Sequence, residues 1–178
     1  MSEALLQQAM RHHQAGNLQE AAALYLRVLQ GSPRHFQALY LLGYTHSQAG
    51  DFASAERLIG KALKINPHVP DAHYNRGCAL HALCRFSEAI VCFDAALSMK
   101  ADYADAATNK GSALMALQRW PEAIASFDRA LAIAPRDAEA LSNRGATRFA
   151  LKQYMEAASD FSARSEEHTS ELQSPYVI

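Results

Sequence analysis

The chain has 178 residues, 49% of them hydrophobic and 20% charged, a balance that excludes wholesale disorder and a collagen-like sequence. A formal net charge of −1 gives no overall basic footprint for nucleic acid and no polybasic membrane signal. Eight glycines, six prolines and abundant alanine suit closely packed helices better than strands and turns.

A repeat organises the chain. Gly43, Gly77, Gly111 and Gly145 recur at a step of 34 residues, and Ala9 lies one step earlier. Leu18, Phe52, Phe86, Trp120 and Tyr154 form a large apolar column at the same step, and Ala21, Ala55, Ala89, Ala123 and Ala157 an unbroken alanine column. Tyr25, Ile59, Phe93, Phe127 and Phe161 form a second bulky column. Fixed-period self-similarity of this length means stacked supersecondary units.

In chain order, the first unit (2–35) opens near Ser2, and its QAGNLQEAAALY run puts Gly16 at a turn between two helices. The opening MSEALLQQAM lacks the basic and apolar regions of a signal peptide. The second unit (36–69) starts near Phe36, with Gly50 at the same turn; Pro33, Pro67 and Pro135 close three of the units. The third (70–103) begins with a helix predicted from about Pro70 to Leu83, proline sitting where its missing N–H costs nothing. Phe86 and Phe93 lie seven apart on its second helix and therefore share a face. The fourth unit (104–137) starts near Ala104, after Ala101 in place of the closing proline. Cys84, Gln118 and Lys152 stand where Gly16 and Gly50 stand earlier, so those turns are expected to carry strain.

The fifth unit (138–163) stops short of the period, inside its second helix, and the natural chain is expected to continue past it. From Arg164 the texture changes: RSEEHTSELQS resembles the translation of a sequencing-adapter oligonucleotide. Residues 164–178 are therefore set aside as a non-native tail. Arg164 and Ser165 replace the Ala-Leu pairs of earlier units, so the end of the fifth unit is expected to pack poorly. No run of about eighteen apolar residues is present to span a membrane.

Over residues 1–163 these columns resemble the tetratricopeptide repeat family, whose unit is a 34-residue helix–turn–helix. Two family positions depart from the pattern: the usual Trp is Leu5, Leu39, His73, Ala107 and Leu141, and the usual Tyr is His12, His46, Leu80, Leu114 and Arg148. The resemblance implies an all-α fold, a right-handed solenoid of antiparallel helix pairs with the first helix of each unit lining a concave groove.

On those first helices Asp71 and Asn75, Asp105 and Asn109, and Glu139 and Asn143 are i, i+4 pairs sharing a face. Stacked, they make an asparagine ladder beside an acidic one, expected to lie exposed. Each amide offers a donor and an acceptor to the backbone of an extended peptide. Tyr40 and Tyr74 stand where a carboxylate-clamp groove would need cations, so that mode is excluded, and the two tyrosines join the candidate groove. The D-x-x-x-N-x-G pattern also resembles the superhelical arm of O-linked N-acetylglucosamine transferases and their bacterial relatives. That likeness implies, as an alternative, a substrate-recruiting arm of a bacterial enzyme whose catalytic domain lies downstream.

Cys78, His81 and Cys84 are three apart along a helix and do not share a face well enough to hold a metal. The three cysteines, an odd number, fit no disulfide framework or zinc spacing and point to a reducing, cytoplasmic compartment. His12 and His46 are expected to pack between helices. No phosphate loop, nucleophile elbow or H-E-x-x-H occurs. The chain thus reads as a non-enzymatic interaction scaffold without cofactor or metal. Its expected partners are a protein or peptide, not nucleic acid or membrane, and the fifth unit offers a surface for self-association.

Overall fold

The computed structural model describes residues 2–172, with side chains from Glu3 to Arg164. Among the described residues there are ten helices and no strand: α1 (Ser2–Gln14), α2 (Leu18–Gly31), α3 (Phe36–Gln48), α4 (Phe52–Leu63), α5 (Pro70–Ala82), α6 (Phe86–Met99), α7 (Ala104–Ala116), α8 (Trp120–Ile133), α9 (Ala138–Ala150) and α10 (Tyr154–Leu172). The chain divides into two compact units, Met1–Met99 with three helix pairs and Lys100–Ile178 with two.

Every odd-numbered helix joins its partner through a three-residue turn built the same way. In the first, Asn17 N–H bonds the His12 carbonyl at 2.9 Å and Gly16 N–H that of His13 at 3.0 Å, the paired bonds of a Schellman cap. The corresponding bonds recur at residues 50–51, 84–85, 118–119 and 152–153. The residue in the left-handed position has φ of 78° at Gly16 and 80° at Gly50, and 58°, 58° and 62° at Cys84, Gln118 and Lys152. Three side-chain-bearing residues thus adopt the backbone that glycine adopts in the first two turns.

Within a pair the helices meet where side chains are smallest. A Cβ on Gly77 would lie 2.5 Å from Phe93 Cε1, one on Gly111 2.5 Å from Phe127 Cε1, and one on Gly43 2.7 Å from Ile59 Cγ1. The alanine column and the second bulky column occupy the same interfaces: Ala21, Ala55, Ala89 and Ala123 are fully buried, as are Tyr25, Ile59, Phe93 and Phe127. Within Met1–Met99 Leu6, Leu24, Val28, Leu39, Leu42 and Leu58 fill a continuous core from α1 to α4.

The fifth pair is looser. Phe161 is 40% exposed where its counterparts are fully buried, and Phe149, Tyr154 and Met155 are exposed as well. Arg164 is exposed where Ala62, Ala96 and Ala130 are buried. Helix α10 continues past Ala163 to Leu172; the remainder of the segment set aside as a tail, 173–178, lies outside the described residues.

Candidate functional site

Within Met1–Met99 α3 touches α5 directly, and the face they share carries the first group of predicted residues. Asn75 Nδ2 donates a 2.8 Å hydrogen bond to Tyr40 Oη, from one helix pair to the preceding one. Burial holds the Tyr40 phenol above its ordinary pKa; the Asn75 bond opposes this, and the Asp71 carboxylate and the Tyr44 hydroxyl add to it. Tyr40, Asn75 and Asp71 thus form one constellation, with Asp71 the exposed member. Phe36 stacks on Tyr40 with centroids 6.0 Å apart, and Tyr44 stacks on His13 at 5.5 Å. Tyr74, half-buried, turns to Phe93 of α6, with centroids 6.1 Å apart.

Within Lys100–Ile178 α7 and α9 supply the corresponding face. Asn143 Nδ2 donates to Ser112 Oγ at 3.2 Å, again reaching back one pair, and Asn109 Nδ2 donates to the Asp105 carbonyl at 3.0 Å. Thr108 Oγ1 donates to Asp137 Oδ2 at 2.9 Å, while Asp137 Oδ1 caps α9 by accepting from the N–H groups of Glu139 and Ala140. Burial raises the Glu139 pKa, and the carboxylates of Asp137 and Asp105 raise it further. Glu139 therefore senses the Asp105 carboxylate, as a member of an acidic column would.

One expectation needs correcting. Asn75, Asn109 and Asn143 are half-buried rather than fully exposed, and each amide already donates a bond, Asn75 and Asn143 to the preceding helix pair and Asn109 to its own helix. For Asn75 and Asn143 the carbonyl oxygen is not engaged by that bond, so these two amides are held in a fixed orientation as acceptors.

Among the described residues no group of three His, Cys, Asp or Glu side chains is placed to hold a metal. No described helix is long and apolar enough to cross a membrane.

Family models of the tetratricopeptide repeat match residues 12–79 in one case and residues 74–138 and 108–165 in another. The chain is a tetratricopeptide repeat protein. A search of curated proteins finds no match to its sequence. Among solved structures it is similar to a crystal structure of MamA, with TM-score 0.89 and 21% identity over 93% of this chain and 96% of that one. It is similar to MamA from Desulfovibrio magneticus RS-1 (residues 41 to the end), with TM-score 0.90 and 20% identity over 95% and 96%. It is also similar to YrrB, described as a TPR protein with an unusual peptide-binding site, with TM-score 0.83 and 20% identity over 91% and 84%. At such identities the shared property is the fold.

The tetratricopeptide columns also expose what reading by motif missed. Asp160 is 2% exposed and sits in a column otherwise filled by Leu24, Leu58, Cys92 and Ser126. Its carboxylate pairs with Arg144, and with Arg148 at 2.8 Å. Arg144 also reaches Asp128 at 2.6 Å. Arg148 is the member of the tyrosine column that departs most in charge, so two departures twelve residues apart compensate each other. Within Met1–Met99 Arg76 Nε and Nη2 donate to Glu56 at 3.0 and 2.6 Å.

Proposed function

We propose that this tetratricopeptide repeat protein is a protein–protein interaction scaffold that holds an extended peptide or a partner helix against the first-helix face of its repeats. The observation that carries the reading is the recurrent polar constellation on that face: Asn75 locked by Tyr40 beside exposed Asp71, and Asn143 locked by Ser112 beside Glu139. Preset amide acceptors can take backbone N–H groups of a bound strand without paying to order a flexible side chain. The acidic column beside them favours a peptide with basic residues at alternate positions. Three free thiols, with Cys84 exposed, support a reducing, cytoplasmic setting. No observation favours the glycosyltransferase-arm reading.

The test is a peptide selected from a random displayed library against the whole chain, then measured against a variant with Asn75, Asn109 and Asn143 all changed to Ala. Binding should weaken by about 1–3 kcal/mol in total, since each hydrogen bond nets roughly 0.5–1.5. Unchanged affinity would remove the asparagine column from recognition.

A further inference from the structure

We infer that Met1–Met99 carries a second docking surface, centred on α4, for an acidic peptide segment of a partner protein. Two clefts, of about 430 and 260 Å³, share Lys61 and Lys64 as lining residues. Arg57 and Arg76 join them in the larger cleft and Arg34 in the smaller. Arg57, Lys61 and Lys64 are exposed and spaced i, i+4, i+7, hence on one face of α4 and its cap. The single lining carboxylate, Glu56, is already taken by Arg76 at 2.6 Å. Among the described residues no carboxylate pairs with Arg34, Arg57, Lys61 or Lys64, so four uncompensated cations converge on a chain whose net charge is −1. The C-terminus of α4 accounts in part for Lys61 and Lys64. It does not account for Arg57, a turn earlier, or for Arg34 across the cleft.

The floor decides the class of partner. Half-buried Ile65, with buried Leu39 and Leu63, lines the same clefts as the cations, so the surface offers a shallow apolar seat flanked by positive charge. That suits a peptide with an aliphatic or aromatic side chain between Asp or Glu residues. Bases would find no aromatic ring to stack on among the lining residues. Gly60 opens the larger cleft: the nearest atom to a Cβ there would be Arg76 Nε, at 3.4 Å. This surface does not include Asn75, Tyr40 or Asp71, so it stands or falls apart from the first-helix face.

The experiment selects peptides from a random displayed library on wild-type protein and on Lys61→Glu/Lys64→Glu, both exposed changes, with thermal unfolding run in parallel. The wild type should enrich peptides with Asp or Glu on either side of an apolar residue, and the double variant should lose that class. A synthetic enriched peptide should bind at least about tenfold more weakly to the variant, and its Asn/Gln counterpart should bind the wild type as weakly. Absence of acidic enrichment, or equal binding by the variant with an unchanged unfolding midpoint, overturns the proposal. So does tighter binding of single-stranded DNA or phosphatidylserine vesicles through the same two lysines. A variant that unfolds early is replaced by Arg57→Gln/Lys61→Gln, for which the same outcomes decide.

Discussion

Replacing Gly111 with alanine tests how closely the helix pairs meet. On an exposed helix that change is stabilising by about 0.5–1 kcal/mol, because glycine loses more backbone freedom on folding. Here the new methyl carbon would stand 2.5, 2.7 and 2.8 Å from three atoms of the Phe127 ring, which is itself fully buried. Carbon contacts favour about 3.5–4.0 Å, so ring or helix must retreat by roughly 1 Å. Overpacking of this kind costs about 1–3 kcal/mol. The expected balance is a loss of roughly 1–2 kcal/mol, which at about 2–4 °C per kcal/mol for a chain of this size lowers the midpoint by roughly 2–8 °C. Gly60→Ala is the matched control. Its methyl would meet only the flexible Arg76 side chain, at 3.4 Å, so it should gain about 0.5–1 kcal/mol. Gly145→Ala should cost less than Gly111→Ala, because Phe161 is 40% exposed and can swing away. Thermal and urea unfolding followed by circular dichroism read all three. If Gly111→Ala melts at or above the wild type, the close approach does not limit the packing and the reasoning fails.

Three other substitutions probe different parts of the fold. Cys84→Gly relieves a side-chain-bearing residue at φ 58° and should raise stability by about 0.5–1 kcal/mol in urea unfolding, left-handed backbone costing an L-residue roughly 1–2 before the entropy of glycine is subtracted. Asp160→Leu, which takes this carboxylate from half-buried Arg144 and Arg148, should cost about 3–5 kcal/mol, whereas Arg148→Leu/Asp160→Leu should restore part of the loss in the same assay, Arg144 keeping Asp128. Glu139 has a raised folded pKa, so folding binds its proton more tightly than the unfolded chain does. Stability should therefore fall as pH rises from the ordinary carboxylate value through the raised one, and Glu139→Gln should flatten that slope in melts across the range.

The helix layout was legible because its signals are local and repeated. The glycine, alanine and bulky columns mark one interface five times over, and the left-handed turn could be placed at Cys84, Gln118 and Lys152 by counting from Gly16 and Gly50. The site was only half legible. Spacing placed Asp71 and Asn75 on one helix face, but whether an amide stays free depends on a side chain a whole period away, and Tyr40 differs in type from Thr108 and Ser142 in its column. Asn143 accordingly finds Ser112 instead. The Asp160 network and the cationic clefts were missed for a related reason: each joins residues on neighbouring helices whose charges look scattered in sequence. A column comparison that flagged Asp160 among Leu24, Leu58, Cys92 and Ser126 would have found the first.

The five left-handed turns differ in how they are encoded. Gly16 and Gly50 adopt their conformation at little intrinsic cost, so the first two helix pairs can close their connections as a local event, before long-range contacts form. At Cys84, Gln118 and Lys152 the same backbone is uphill for the residue itself, and the helix contacts on either side must supply the difference. Within Met1–Met99 the order of folding is therefore expected to have a direction: the two glycine-turned pairs nucleate, and the pair closed by Cys84 docks onto them.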